Sequence, residues 1–331
     1  MNQVYCKDSS KLNLDYKVDS IVTDTPYGIG FDKWDSYDNC VSFKKDTWKN
    51  ISKNLKPGGY LAIFGSSRTF HRLVCAVEDS GLIIRDQMMW LHSMGMPKSS
   101  NIGKKIKEWE GWGTGLKPCY EPVLLAQKPR DKKNIVDNIK EHGVGAINID
   151  ESRLPCGRWP GNVLHDGSDE VEKEFDKYGE RGNGWSRNYG VEDYQGRQYK
   201  GGSFGGGRFL GNTTYADTGT ASRFFYCVKA SKKEKTHNRK IENNHPTVKP
   251  INLMKYFIKL VTPKNGIVYD PFSGSGTTLV ACKELGQNFV GCELNKKYIK
   301  IINDRLSQIK NLENFMGRVD IWCVTPYIII E

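Results

Sequence analysis

"VYDPFSGSGTTLVACKELGQNFVGCELN", residues 268–295, decides the fold. An apolar run ends in Asp270-Pro271-Phe272 and passes into a glycine-rich turn. A helix-forming stretch follows, stopped by Gly286, and a second apolar run ends at Glu293. Strand, turn, helix and strand in that order make the first half of a nucleotide-binding α/β unit. Gly274 and Gly276 let the backbone pass close to a ligand at the carboxyl edge of the sheet. Phe272, Ser275, Thr277 and Thr278 share that turn and are expected to face the same ligand. Glu293 stands 19 residues after Gly274, where an acid can accept both hydroxyls of a ribose.

What the turn lacks narrows the ligand. A phosphate-binding loop ends in Gly-Lys-Ser/Thr, but Gly276 is followed by Thr277-Thr278. A dinucleotide fingerprint needs a third glycine where Leu279 stands. Asp270 at the strand tip repels polyphosphate and suits an amine-bearing cation. S-adenosyl-L-methionine carries a ribose, an adenine, a sulfonium and an α-amino group without phosphate, so it is the cofactor these residues imply.

The same grammar extends in both directions. Residues 250–260 and 297–309 read as helices and 266–270 as a strand, with Pro250 at the tolerated first helical turn. Nearer the N-terminus, 18–24, 60–64 and 82–90 read as strands. Residues 44–55 and 68–79 read as helices, the first closed by Lys56-Pro57-Gly58-Gly59. This alternation predicts an α/β fold with a mostly parallel sheet and helices on both faces. In the middle, tracts such as "QGRQYKGGSFGGGRFLGN" lose all periodicity and predict loops, or a segment that orders on a partner. The expected organisation is a split α/β unit, 1–128 and 223–312, around an insert at 129–222. The tail, 313–331, is either an extra strand or an irregular end.

"SIVTDTPYGIGF", residues 20–31, leaves its strand through Asp24, Pro26 and Tyr27. A plain turn uses the acid and the proline but has no need of the tyrosine. Taken with the glycine-rich unit, this stretch resembles the DNA amino-methyltransferases, which modify the exocyclic amine of adenine or cytosine. "DPFSGSGTT" looks like their cofactor motif and "DTPY" like their catalytic Asp/Asn/Ser-Pro-Pro-Tyr motif. The catalytic motif comes first here, as in the permuted beta group of that family. "NHPTVKP", residues 244–250, resembles the segment that encloses the methionine part, through His245, Thr247, Lys249 and Pro250. "VYCKDSS" resembles the short acidic motif near the cofactor adenine, through Asp8. "EGWGTGLKPCYEPVLLAQKP" and "GTASRFFYCVKAS" further resemble phage- and prophage-encoded members. The likeness covers residues 4–128 and 223–309.

The resemblance implies a Rossmann-like S-adenosylmethionine-dependent methyltransferase acting on double-stranded DNA. An exocyclic amine is a poor nucleophile because its lone pair is delocalised into the ring. Acceptors that hold its protons help the nitrogen become tetrahedral as it attacks a sulfonium methyl. Asp24 would supply a side-chain oxygen and also border the cofactor, Thr25 or Pro26 a backbone carbonyl, and Tyr27 a face for an extruded base. The chain departs from the family at Thr25, where proline is usual, but the backbone carbonyl is unchanged. An acid at position 24 leans toward adenine, since members acting on the cytosine amine often carry serine there.

Three other readings compete. A cytosine ring-carbon methyltransferase needs a Pro-Cys nucleophile; Pro118-Cys119 and Pro155-Cys156 offer the dipeptide but precede the cofactor motif and lack the Glu-Asn-Val that marks that family. A catalytically silent DNA-binding or specificity protein could retain the fold, yet Asp24, Tyr27 and Glu293 are all intact. RNA or protein-glutamine methylation shares the amine chemistry, but the permuted order and the basic insert favour DNA.

Composition agrees with a polyanionic partner. Lys and Arg number 49 against 38 Asp and Glu, a net charge of +11. Arg181, Arg187, Arg197 and Arg208 alternate with Trp185, Tyr189, Tyr194, Tyr199, Phe204 and Phe209 in the insert, as base-reading and base-stacking contacts would. "KASKKEKTHNRK", residues 229–240 with Lys232 and Lys233, is expected to grip phosphate. The nine cysteines form no Cys-x-x-Cys pair and the six histidines no ligand spacing, so no metal is expected. No apolar run is long enough to span a membrane, and the N-terminus lacks the order of a signal peptide. A cytoplasmic protein without membrane association is therefore expected, with a homodimer left open.

Overall fold

The computed structural model describes residues 2–30, 35–92, 95, 99–154, 157, 159–179, 225–227, 248–309 and 328–330. These build one ten-stranded sheet. Its strands are β1 (Asn2–Tyr5), β2 (Val18–Asp24), β3 (Leu55–Phe64), β4 (Ile83–Leu91) and β5 (Tyr120–Gln127), followed by β6 (Val163–His165), β7 (Tyr226–Cys227), β8 (Ile267–Asp270), β9 (Asn288–Cys292) and β10 (Ile328–Ile330). The spatial order is β10-β1-β9-β8-β2-β3-β5-β4-β6-β7. Every neighbouring pair is parallel except the two that β5 makes with β3 and β4. The expected mostly parallel α/β sheet is what the chain forms.

Helices cover both faces. They are α1 (Lys45–Lys53), α2 (Phe70–Asp79), α3 (Ile135–His142), α4 (Asp169–Asp176), α5 (Ile251–Val261), α6 (Thr277–Glu284) and α7 (Lys296–Ser307). The period of two along a strand sends alternate residues to opposite cores. Ile21, Leu61 and Ile63 join Trp48 and Ile51 of α1 and Leu73 of α2. Val22, Ala62 and Phe64 join Phe257 of α5, Leu279 of α6 and Ile302 of α7. Both faces are apolar, so these strands read as continuous hydrophobic runs.

Strand order sets up the site. β8 pairs with β2 through Ser20↔Val268 and Ile21↔Tyr269. Two strands from opposite ends of the chain therefore finish side by side, and their tips carry Asp24 and Asp270. Carboxyl edges of parallel strands are where open α/β sheets bind ligands.

Two expectations need correction. Lys56-Pro57-Gly58-Gly59 does not merely close a helix, because β3 begins at Leu55 and runs through it. The register jumps from Val18↔Leu55 to Ser20↔Tyr60, a bulge accommodated by Gly58 at φ +80°. Residues 129–179 are not only loop, since α3, α4 and β6 lie there and β6 extends the sheet beside β4. Of the two alternatives left for the tail, its described residues, Ile328–Ile330, take the extra strand, β10, parallel to β1. No helix among the described residues is long and apolar enough to cross a membrane.

Candidate functional site

A cavity of about 350 Å³ opens where the tips of β2 and β8 meet. Its walls include Asp8 after β1, Asp24 to Pro26 after β2, Lys249 before α5, Asp270 to Ser275 after β8, Thr277 and Thr278 of α6, and Glu293 after β9. The turn fits tightly over its neighbours. Gly276 has φ +79°, and a Cβ there would lie 2.9 Å from Cγ1 of Ile302 on α7. Only glycine meets both conditions. From the same helix, buried Arg305 donates to Ser275 O at 2.8 Å, Ser275 Oγ at 3.1 Å and Thr277 Oγ1 at 3.0 Å, clamping the turn from behind.

Asp270 and Glu293, two of the carboxylates that line the cavity, differ in their hydrogen-bond partners. Asp270 is buried and accepts from Thr23 Oγ1 at 2.7 Å and from the Phe272 amide at 3.2 Å. Burial pushes its pKa up to about 7, against the pull of hydrogen bonds from Thr23 and Thr278. A cation placed against such a carboxyl would draw the proton off. Glu293 accepts from the Gly274 amide at 2.8 Å and the Asn295 amide at 2.7 Å. Burial raises its pKa while those amides oppose the rise. Each oxygen keeps a further lone pair for a hydroxyl donor. Asp8 is tied to Ser10 N and Oγ at 3.0 and 2.7 Å, which fixes the rim nearest β1.

Beside this cavity lies a second cluster. The Lys249 ammonium is 2.7 Å from Asp24 Oδ2 and 3.2 Å from Glu121 Oε2. The Tyr27 hydroxyl donates to Asp24 Oδ1 at 2.8 Å and approaches Glu121 Oε2 at 3.0 Å. Lys249 also stands over the Tyr27 ring, 5.3 Å from its centroid. Burial lowers the Lys249 pKa, but the carboxylates of Asp24 and Glu121 outweigh it and leave the ammonium more firmly charged. Burial, reinforced by the same two carboxylates, holds the Tyr27 phenol far above its usual value. The loop itself is braced: Thr25 Oγ1 donates to Phe64 O, Thr69 Oγ1 to Tyr27 O, and Ser42 Oγ to Pro26 O at 2.6 Å.

The geometry sorts the candidates from the sequence. Asp8, Asp24, Lys249, Asp270, Phe272, Gly274, Ser275, Thr277, Thr278 and Glu293 line one cavity. Gly276 shapes the turn from below, Pro250 caps α5, and Tyr27 belongs to the neighbouring cluster. Of the two backbone acceptors considered, the Pro26 carbonyl already takes a hydrogen bond from Ser42 Oγ. Phe272 also packs edge-on against Trp48 at 6.1 Å, which anchors the turn to α1. His245, Thr247, Arg181, Arg187, Arg197, Arg208, Lys232, Lys233 and Cys156 lie outside the described residues. Glu121 was not anticipated. It lies in the quoted stretch "EGWGTGLKPCYEPVLLAQKP", whose resemblance carried no role for it, and its local signal is an acid at the head of an otherwise apolar strand.

Comparison with known proteins follows the same outline. A family profile described as DNA methylase matches residues 18–304. The type II methyltransferase M.HindIII of Haemophilus influenzae is 26% identical over 89% of this chain and 90% of its own. The type II methyltransferase M1.MboII of Moraxella bovis is 25% identical over 94% of this chain and 97% of its own. Among solved structures, the PvuII DNA methyltransferase, cytosine-N4-specific, aligns over 94% of this chain and 88% of its own with a TM-score of 0.53 at 14% identity. At that identity the likeness speaks for the fold.

Proposed function

Because the chain belongs to the DNA methylase family, matched over residues 18–304, we propose that it methylates the exocyclic amine of adenine in double-stranded DNA, using S-adenosyl-L-methionine. The observation that carries this reading is the shared cavity: Asp24 and Thr25 border the same space as Asp270, Gly274 and Glu293. A methyl donor seated against the second group would reach an amine held by the first. When bound, the cofactor supplies a methyl group on a sulfonium.

The residues divide the work. Glu293 accepts the ribose hydroxyls, Asp8 stands toward the adenine, and Asp270 accepts the α-amino group. Asp24 takes an amine N–H on the lone pairs left by Tyr27 and Lys249, and the Thr25 carbonyl takes the other. Tyr27 offers its ring to the extruded base on the face away from Lys249. The base must leave the duplex because its amine is otherwise beyond reach of the methyl group.

The acid at position 24 is the ground for adenine over the cytosine amine. The insert at 129–222 is proposed to select the target sequence and 229–240 to hold phosphate. Nucleoside analysis of DNA from a host expressing the protein tests the base. N6-methyladenine is expected; N4-methylcytosine alone would move the assignment to cytosine, and no methylated amine would end it.

A further inference from the structure

Glu121 lies outside the catalytic and cofactor motifs, in a stretch to which the sequence assigns no chemical role. It heads β5 on the antiparallel hairpin, yet its carboxylate reaches the tip of β2. Oε2 meets both the Tyr27 hydroxyl, at 3.0 Å, and the Lys249 ammonium, at 3.2 Å. Oε1 faces His92 Nε2 at 3.9 Å. Lys249 is only 6% exposed, so its charge must be answered locally.

The charge balance of this cluster suits the proposed transfer. The amine nitrogen donates its lone pair to form the N–C bond as the C–S electron pair returns to sulfur. One positive charge thereby moves from sulfur to nitrogen, and one N–H proton then leaves through an Asp24 oxygen toward solvent. The surroundings should be net negative at the nitrogen as this happens. Asp24 with Lys249 alone would be a neutral pair, its field spent on the ammonium. Glu121 brings a second carboxylate to the same ammonium and restores one negative charge beside the base. Burial holds the His92 imidazole below its usual value, so it adds no cation near neutral pH.

We propose that Glu121 is a positioning residue that neutralises Lys249 and braces Tyr27, leaving the Asp24 carboxylate free to stabilise the developing charge on the target amine. This rests on the amine-methylation reading above.

The test compares the wild-type chain with Glu121→Gln, Glu121→Asp, Lys249→Met and the Glu121→Gln/Lys249→Met double variant, using tritiated S-adenosyl-L-methionine and unmethylated DNA. Glu121→Gln keeps an acceptor and removes the charge, so kcat should fall on the order of 10- to 100-fold, as expected for losing one nearby charge. KM for the cofactor should stay within about twofold, since the charge acts on the transition state. Glu121→Asp should recover part of the loss. In the Lys249→Met background, the same Glu121→Gln change should cost far less, because no ammonium is left to neutralise. Unchanged kcat, a loss confined to KM, or an equal loss in both backgrounds would overturn the role of Glu121. If Glu121→Gln alone does not fold, Lys249→Met against the double variant decides: a full loss of kcat on adding Glu121→Gln overturns it. A wild-type chain that labels no amine in DNA overturns both readings, whereas a labelled wild type with an indifferent Glu121→Gln overturns this one alone.

Discussion

Lys249 Nζ lies 2.7 Å from Asp24 Oδ2 across 225 residues of sequence. One ammonium thus ties the segment entering α5 to the carboxylate at the tip of β2. Removing it leaves Asp24 and Glu121 without their shared cation, though they keep 22% and 24% of their side-chain surface exposed. Lys249→Met should cost about 3 kcal/mol, the low end for a broken buried pair. Urea unfolding reads it; equal stability of variant and wild type would show that the pair is ornamental.

Glu293 is expected to hold the ribose. Glu293→Ala removes a charge-assisted contact and should weaken cofactor binding by about 1.5–3 kcal/mol. Calorimetric titration measures this, and unchanged affinity would displace the cofactor from the proposed orientation.

Asp270 makes stability depend on pH in an unusual direction for a carboxylate. Its folded pKa is raised to about 7, above the 3.8 of an unperturbed group. Between those values the folded chain holds a proton that the unfolded chain has lost, so stability falls as pH rises. The slope is about 1.4 kcal/mol per pH unit, or about 2 kcal/mol between pH 5.5 and 7. Asp270→Asn should flatten this profile. A seated α-amino cation favours the ionised form, so cofactor binding near pH 6 should release a proton, detectable by calorimetry in buffers of differing ionisation enthalpy. Proton uptake instead would contradict the cation seat.

Phosphate contacts should make DNA binding steeply dependent on salt. Neutralising about six phosphates gives a log–log slope near −5, at roughly 0.9 per phosphate. Filter binding between low and moderate salt measures it, and a flat line would reduce the net charge of +11 to surface solvation.

Most of this architecture is legible in the sequence where one local rule dominates. Asp270, Gly274, Gly276 and Glu293 are fixed by strand–turn–helix chemistry, and the near-continuous apolar runs in 18–24 and 60–64 report burial on both faces. The bulge at Gly58 misleads because Pro-Gly-Gly reads as a terminator, whereas the left-handed glycine lets the strand continue. Glu121 is illegible for a different reason. Its role depends on β5 running antiparallel beside β3, a pairing that no local pattern encodes. The destination of Lys249 is hidden likewise: its motif resembles a cofactor-enclosing segment, yet its charge is spent on Asp24 and Glu121.

The central claim is that Asp24 accepts a proton of the target amine, and tritiated methyl transfer to unmethylated genomic DNA followed by nucleoside analysis tests it most directly. The wild-type chain should place label in N6-methyladenine. Asp24→Ala should bind S-adenosyl-L-methionine nearly as well yet transfer methyl orders of magnitude more slowly, because the lost interaction belongs to the transition state. Cys119→Ser should remain active, since direct attack by an amine needs no thiolate. Label on a cytosine ring carbon, or activity that survives Asp24→Ala and disappears with Cys119→Ser, would contradict the mechanism.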